Sequence, residues 1–180
     1  MCAVRQKVAN FAFKIQKKEM AETLTIAEGT KEAKYQELIP QVKAMLDGED
    51  DLIANMANVA SMIHETFGFL WTGFYRVKAT KDGAGEVLIL GPFQGPLACT
   101  RIRKGKGVCG TAWEKGTTRV VEDVDKFPGH IACSSDSRSE IVVPIRKDGA
   151  VIAVLDSDSK ELSTFDEVDL KYLEEIAALF

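Results

Sequence analysis

The chain has 180 residues, 46% of them hydrophobic, which suits one domain with a sizeable core and no need of disulfide staples. Its net charge of -4, from 23 basic and 27 acidic residues, argues against a nucleic-acid surface as its main business. There is no apolar run of the roughly 20 residues that a transmembrane helix needs, and the amino terminus lacks the apolar core of a secretory signal.

Residues 1–29 read as an extension. Val4, Val8, Phe11 and Ile15 share a helical face, ringed by Arg5, Lys7, Lys14, Lys17 and Lys18, with no acid before Glu19. A mitochondrial targeting helix has this basic character, but such segments are richer in Arg and Ser, so an ordinary solvated helix on a cytoplasmic protein is preferred. The domain proper is expected over 30–180. Thr30 is placed to cap a helix carrying Tyr35, Leu38, Ile39, Val42, Met45 and Leu46, which Pro40 should kink or split. After a turn at Asp47–Gly48, a second helix from Asp51 should bury Leu52, Ile53, Met56, Val59, Ala60 and Ile63 and stop at Gly68.

Beyond Gly68 the hydrophobic period becomes two. Trp71–Val77 and Glu86–Leu90 are predicted as paired strands joined by a loop over 81–85. A short strand around Cys99–Ile102, a helix over Val108–Lys115 and a strand over Thr118–Val121 follow. Residues 122–138 form one long polar loop, a feature that is usually functional in a compact domain. Ser139–Arg146 and Val151–Asp158 are strands around a tight Asp148–Gly149 turn. A capping box, Thr164 to Glu167, opens a last helix that buries Val168, Leu173, Ile176 and Phe180. Helices, an antiparallel meander and a final helix predict an α+β fold: helices 30–67 and 165–180 cover one face of the sheet and leave the other to the loops.

Four cysteines, Cys2, Cys99, Cys109 and Cys133, are too few for a disulfide framework in a chain this long. Their spacing is not C-x-x-C. His130 makes a Cys3His zinc site formally available, but structural zinc sites usually bring a close cysteine pair. Buried inert thiols are the other alternative, and redox catalysis the functional one: one thiolate attacks and a second resolves the product as a disulfide. Arg101, Lys104, Lys106 and Arg138 would lower a thiol pKa if they stood near it. Asp156 and Asp158, two apart at the end of an apolar strand, point to one face, and Glu140 opens the neighbouring strand. If the three acids meet, repulsion raises at least one pKa. A protonated carboxyl could then give a proton to an oxygen, and an ionised one could hold an ammonium. Trp71, Gly73 and Tyr75 share a strand face, with the glycine as a notch between two rings. The segment Gly105–Lys106–Gly107 lacks the full P-loop pattern, and its glycines read as turn formers.

Seven stretches together resemble the free methionine-(R)-sulfoxide reductase family: WTGFY (71–75), GPFQG (91–95), AC (98–99), GKGVCGT (105–111), FPGHIAC (127–133), SEIVVP (139–144) and LDSD (155–158). The resemblance implies a GAF fold with helices packed on one face of an antiparallel sheet, and a homodimer. It implies reduction of free L-methionine-(R)-sulfoxide without a cofactor, through a cysteine sulfenic acid and an intramolecular disulfide that thioredoxin or an equivalent dithiol reopens. By position, Cys133 corresponds to the nucleophile, Cys99 to its main resolving partner and Cys109 to a third thiol in the exchange. Trp71 and Tyr75 correspond to the cradle for the methyl-sulfur end. Glu140, Asp156 and Asp158 correspond to ligands of the polar end. Ser157, between the two aspartates, departs from the isoleucine common in relatives and is expected to face the covering helices. The competing readings are a ligand-sensing GAF module and a structural zinc protein.

Overall fold

The computed structural model describes residues 23–131 and 134–180. The basic N-terminal helix and Cys2, on one side, and Cys133, on the other, lie outside the described residues. Helix α1 spans Lys31–Leu46, and Thr30 caps it by accepting the Ala33 N–H on its hydroxyl, 3.2 Å. Pro40 does not split the helix. The Gln41 side-chain amide donates to the Glu37 carbonyl, 2.8 Å, in the turn that the missing N–H disturbs. Helix α2, Leu52–Phe67, starts on an Asp51 cap and ends on Gly68 in the left-handed region. Its face differs from the expected one at Ile53, which is 39% exposed. Met56, Val59, Ala60 and Ile63 are buried as expected, and Met62 joins them.

The sheet is antiparallel, in the order β3-β2-β1-β6-β5-β4. Its strands are β1 (Trp71–Ala79), β2 (Glu86–Gln94), β3 (Arg101–Ile102), β4 (Arg119–Val121), β5 (Ser139–Lys147) and β6 (Ala150–Ser159). Asp148 and Gly149 both take positive φ, 52° and 81°, as a two-residue hairpin between right-twisted strands requires. Helix α3, Gly107–Lys115, lies between β3 and β4. Helix α4, Glu167–Ala177, closes the domain. Its capping box sits two residues later than the sequence pattern predicts. Asp166 accepts from Val168 and Asp169, and Asp169 accepts from the Asp166 N–H, 2.9 Å. The Thr164 hydroxyl instead bonds Ser159 Oγ, 2.7 Å.

Two hydrophobic cores sandwich the sheet. One joins α1, α2 and α4 to Phe74, Ile141, Val143, Ile145, Ala153 and Leu155. Asp169, fully buried, ties α1 to α4: its carboxylate accepts from Lys31 Nζ, 2.5 Å, and from the Tyr35 hydroxyl, 2.9 Å. Ser157 faces this layer, as its parity demands, and pairs with the Thr72 hydroxyl at 3.3 Å. The second core lies on the other face, where α3 packs Val108, Cys109, Ala112 and Trp113 onto Trp71, Tyr75, Val142 and Val154. That face is therefore covered by a helix as well as by loops, and the cleft opens between them.

Candidate active site

Strand register brings the three acids together. Glu140 stands directly opposite Asp158, and Asp158 opposite Trp71; in the next row Asp156 stands between Val142 and Gly73. Residues opposite one another in a ladder share a face, so Trp71, Asp158 and Glu140 form one row and Asp156 enters from the adjacent one. Helix α3 then lowers Cys109 onto them. Its Sγ donates to Asp156 Oδ2 at 3.1 Å and lies 4.0 Å from Glu140 Oε1. This approach depends on Gly110, because a Cβ there would sit 2.4 Å from the Arg103 carbonyl oxygen.

A cleft opens above the acids, lined by all three of them and by Cys109. Trp71 and Tyr75 form one wall, their ring centroids 5.9 Å apart. Gly73 is not an open notch between them. A Cβ there would meet the Trp71 ring at 2.6 Å and Phe93 Cβ at 2.3 Å, so the missing side chain makes room for the tryptophan itself, stacked on Phe93. Leu97, 88% exposed, and Ile131, 40% exposed, stand at the mouth.

The electrostatics are those of an acid store. Glu140 and Asp156, 6% and 5% exposed, are pushed well above the usual carboxylate range. Burial is the first cause, and the charges of the neighbouring acids add to it. Burial raises Asp158 to about 6, against the pull of the Ser137 hydroxyl that donates to its Oδ1. Cys109 is also pushed up, by burial and then by Asp156 and Glu140. The basic residues near it in sequence do not activate it, so Cys109 is a protonated thiol, not a poised thiolate. His130 Nε2 stands 4.0 Å from Glu140 Oε2, and burial lowers its pKa below the usual imidazole range.

The similarities of the chain match this site. A GAF domain family model matches residues 48–180. A free methionine-R-sulfoxide reductase of Saccharomyces cerevisiae is 42% identical over 155 residues, covering 83% of this chain and 84% of its own. The chain belongs to the free methionine-R-sulfoxide reductase family of GAF domains. A GAF domain-containing protein of Dictyostelium discoideum is 56% identical, covering 89% of this chain and 98% of its own. The X-ray structure of free methionine-R-sulfoxide reductase from Neisseria meningitidis, in complex with its substrate, superposes with a TM-score of 0.83 at 53% identity, over 87% of this chain and 92% of that one.

Of the family positions singled out in the sequence, Trp71, Tyr75, Cys109, Glu140, Asp156 and Asp158 all line one cleft. Cys99 is half-buried and packs at the edge of the second core. Among the described residues, the metal-type side chains that converge are Cys109, Glu140 and Asp156, not the Cys99, His130 and Cys109 of a Cys3His site. Ser137, 7% exposed and bonded to Asp158, was not legible in the sequence. A serine in a polar loop gives no signal, and only the loop's unusual length pointed there.

Proposed function

We propose that the protein reduces free L-methionine-(R)-sulfoxide to L-methionine with its own thiols. The observation that carries this reading is the buried carboxyl set against an aromatic wall. Asp156 Oδ1 and Trp71 Nε1 are both buried without a hydrogen-bond partner among the described residues, and both residues line the cleft. A buried acceptor and a buried donor left open are costly unless a ligand satisfies them. A zwitterionic amino acid with a polar S=O group supplies both kinds of partner.

In this reading the ionised Asp158 holds the substrate ammonium, and protonated Glu140 or Asp156 gives its proton to the sulfoxide oxygen as the S–O bond weakens. The methyl-sulfur end lies against Trp71 and Tyr75, whose faces attract the positive charge that builds on sulfur. Cys133 attacks the sulfur. Its thiol takes the oxygen and becomes a sulfenic acid, and methionine leaves. A second thiol, Cys99 or Cys109, displaces that oxygen as water and forms a disulfide. An external dithiol, thioredoxin or its equivalent, reopens it. The protonated Cys109 does not suit a first attack, because the thiolate is the nucleophile, and any later exchange through it requires loss of that proton. The acting form is a homodimer in the cytoplasm.

Single turnover tests the chemistry. Fully reduced protein mixed with excess free methionine-R-sulfoxide, without reductant, should form one methionine per two thiols lost. Cys133→Ser should form none. Methionine formed without thiol loss would remove the thiol mechanism, and an undiminished Cys133→Ser burst would remove Cys133 from it.

A further inference from the structure

We propose that the floor of the cleft is a binding site for a thiophilic divalent cation such as Zn²⁺, held by Cys109 Sγ, Glu140 and Asp156, and that this ion and the substrate exclude one another. The second clause rests on the proposed reductase reading; the first does not. The donor atoms come from three separate elements, α3, β5 and β6, and all lie within 4.8 Å of one another. Sγ is 3.1 Å from Asp156 Oδ2 and 4.0 Å from Glu140 Oε1. In a tetrahedral zinc site, with bonds of about 2.3 Å to sulfur and about 2.0 Å to oxygen, a sulfur and an oxygen ligand stand about 3.5 Å apart. The observed separations bracket that value, so small rotations of the side chains would complete the tripod.

Within this set Asp156 Oδ1 is the atom left open. It belongs to a carboxylate only 5% exposed, lines the cleft, and has no hydrogen-bond partner among the described residues. No lysine or arginine forms an ion pair with Glu140, Asp156 or Asp158 among the described residues; the basic group within reach is His130, 4.0 Å from Glu140. One sulfur and two carboxylates favour zinc or cadmium over magnesium or calcium, which want oxygen alone. Cys109 is packed in the second core, and both carboxyl residues are buried on the strands beside it. Binding displaces the thiol proton together with the protons that Glu140 and Asp156 hold, and a fourth position would face the cleft that all three residues line. An ion there occupies the two carboxyls from which the sulfoxide oxygen would take its proton. Oxidation of Cys109 to a disulfide removes the sulfur donor, so only the reduced protein takes the ion.

The test titrates Cd²⁺ into reduced full-length protein in which Cys2→Ser, Cys99→Ser and Cys133→Ser leave Cys109 as the single thiol. The readouts are the ultraviolet absorption of a cadmium thiolate, with circular dichroism as the fold check. One equivalent should bind, with Cys109→Ser abolishing the band and Asp156→Asn or Glu140→Gln weakening binding at least tenfold. No band in folded protein, or a band indifferent to both carboxyl substitutions, overturns the site. In the unaltered protein, Zn²⁺ inhibition should be competitive with methionine sulfoxide and reversed by a chelator. Binding of the ion that saturating sulfoxide leaves unchanged, in protein that turns the sulfoxide over, overturns the exclusion. An ion site that passes its own arm in protein with no turnover leaves the site standing and removes the reductase reading instead.

Discussion

At neutral pH the pocket holds both forms of a carboxyl. Glu140 and Asp156, held well above the usual range by burial and by neighbouring acids, keep protons, whereas Asp158, at about 6, has largely lost its own. If ionised Asp158 holds the ammonium, the KM for free methionine-R-sulfoxide should fall as pH rises through about 6; a KM flat from pH 5 to 8 would take Asp158 out of that role. The same shift has an opposite consequence for stability. The folded state binds the Asp158 proton more tightly than the unfolded state, so between about 4 and 6 the folded protein holds more protons and loses stability as pH rises. Asp158→Asn should therefore raise stability at pH 7.5, by no more than about 3 kcal/mol for a shift of roughly two units, seen as a higher Tm, and should change it little at pH 4. A lowered Tm at pH 7.5 would contradict this. Gly73 also acts as a single residue. Gly73→Ala drives a Cβ into Phe93 and Trp71. It should destabilise by about 1–3 kcal/mol and, by displacing the indole, raise KM at least tenfold in steady-state assays.

Among elements, the capping of α4 and its latch to α1 belong to the frame and not to the chemistry. Asp166→Ala removes half of a capping box and one partner of Lys31. It should lower stability by about 0.5–2 kcal/mol in denaturant unfolding while leaving KM unchanged. Local signals gave most of the elements. The Thr30 and Asp51 caps, the Gly68 stop, the Asp148–Gly149 turn and the two-residue period of β1, β5 and β6 all correspond to structure. Where local signals failed, the deciding partner was distant in sequence. Thr164 cannot cap α4 because its hydroxyl is held by Ser159 and Glu161. Asp169 reads as a solvated helix residue, yet it is buried by a lysine and a tyrosine more than 130 positions away. The carboxyl pair at 156 and 158 was legible from strand parity. Ser137 beside it, and the filling of the Gly73 space by Trp71, were not, since both depend on where loops and rings settle after the sheet forms.

For the molecule as a whole, the sheet divides the labour. One face carries three helices and a core of aliphatic and aromatic side chains. The other carries one short helix, the acids and the thiol, bordered by His130, Ile131, Ser134 and Ser137 and by the segment around Leu97. The most direct test of the central claim is a coupled assay of the purified protein with thioredoxin, its reductase and NADPH. Three substrates run in parallel: free methionine-R-sulfoxide, free methionine-S-sulfoxide and an N-acetylated R-sulfoxide. The account predicts NADPH consumption with the free R form alone, because blocking the amine removes the ammonium that Asp158 would hold. Equal turnover of the N-acetylated substrate would contradict the role given to Asp158. No turnover of any of the three, with dithiothreitol in place of thioredoxin, would contradict the reductase itself.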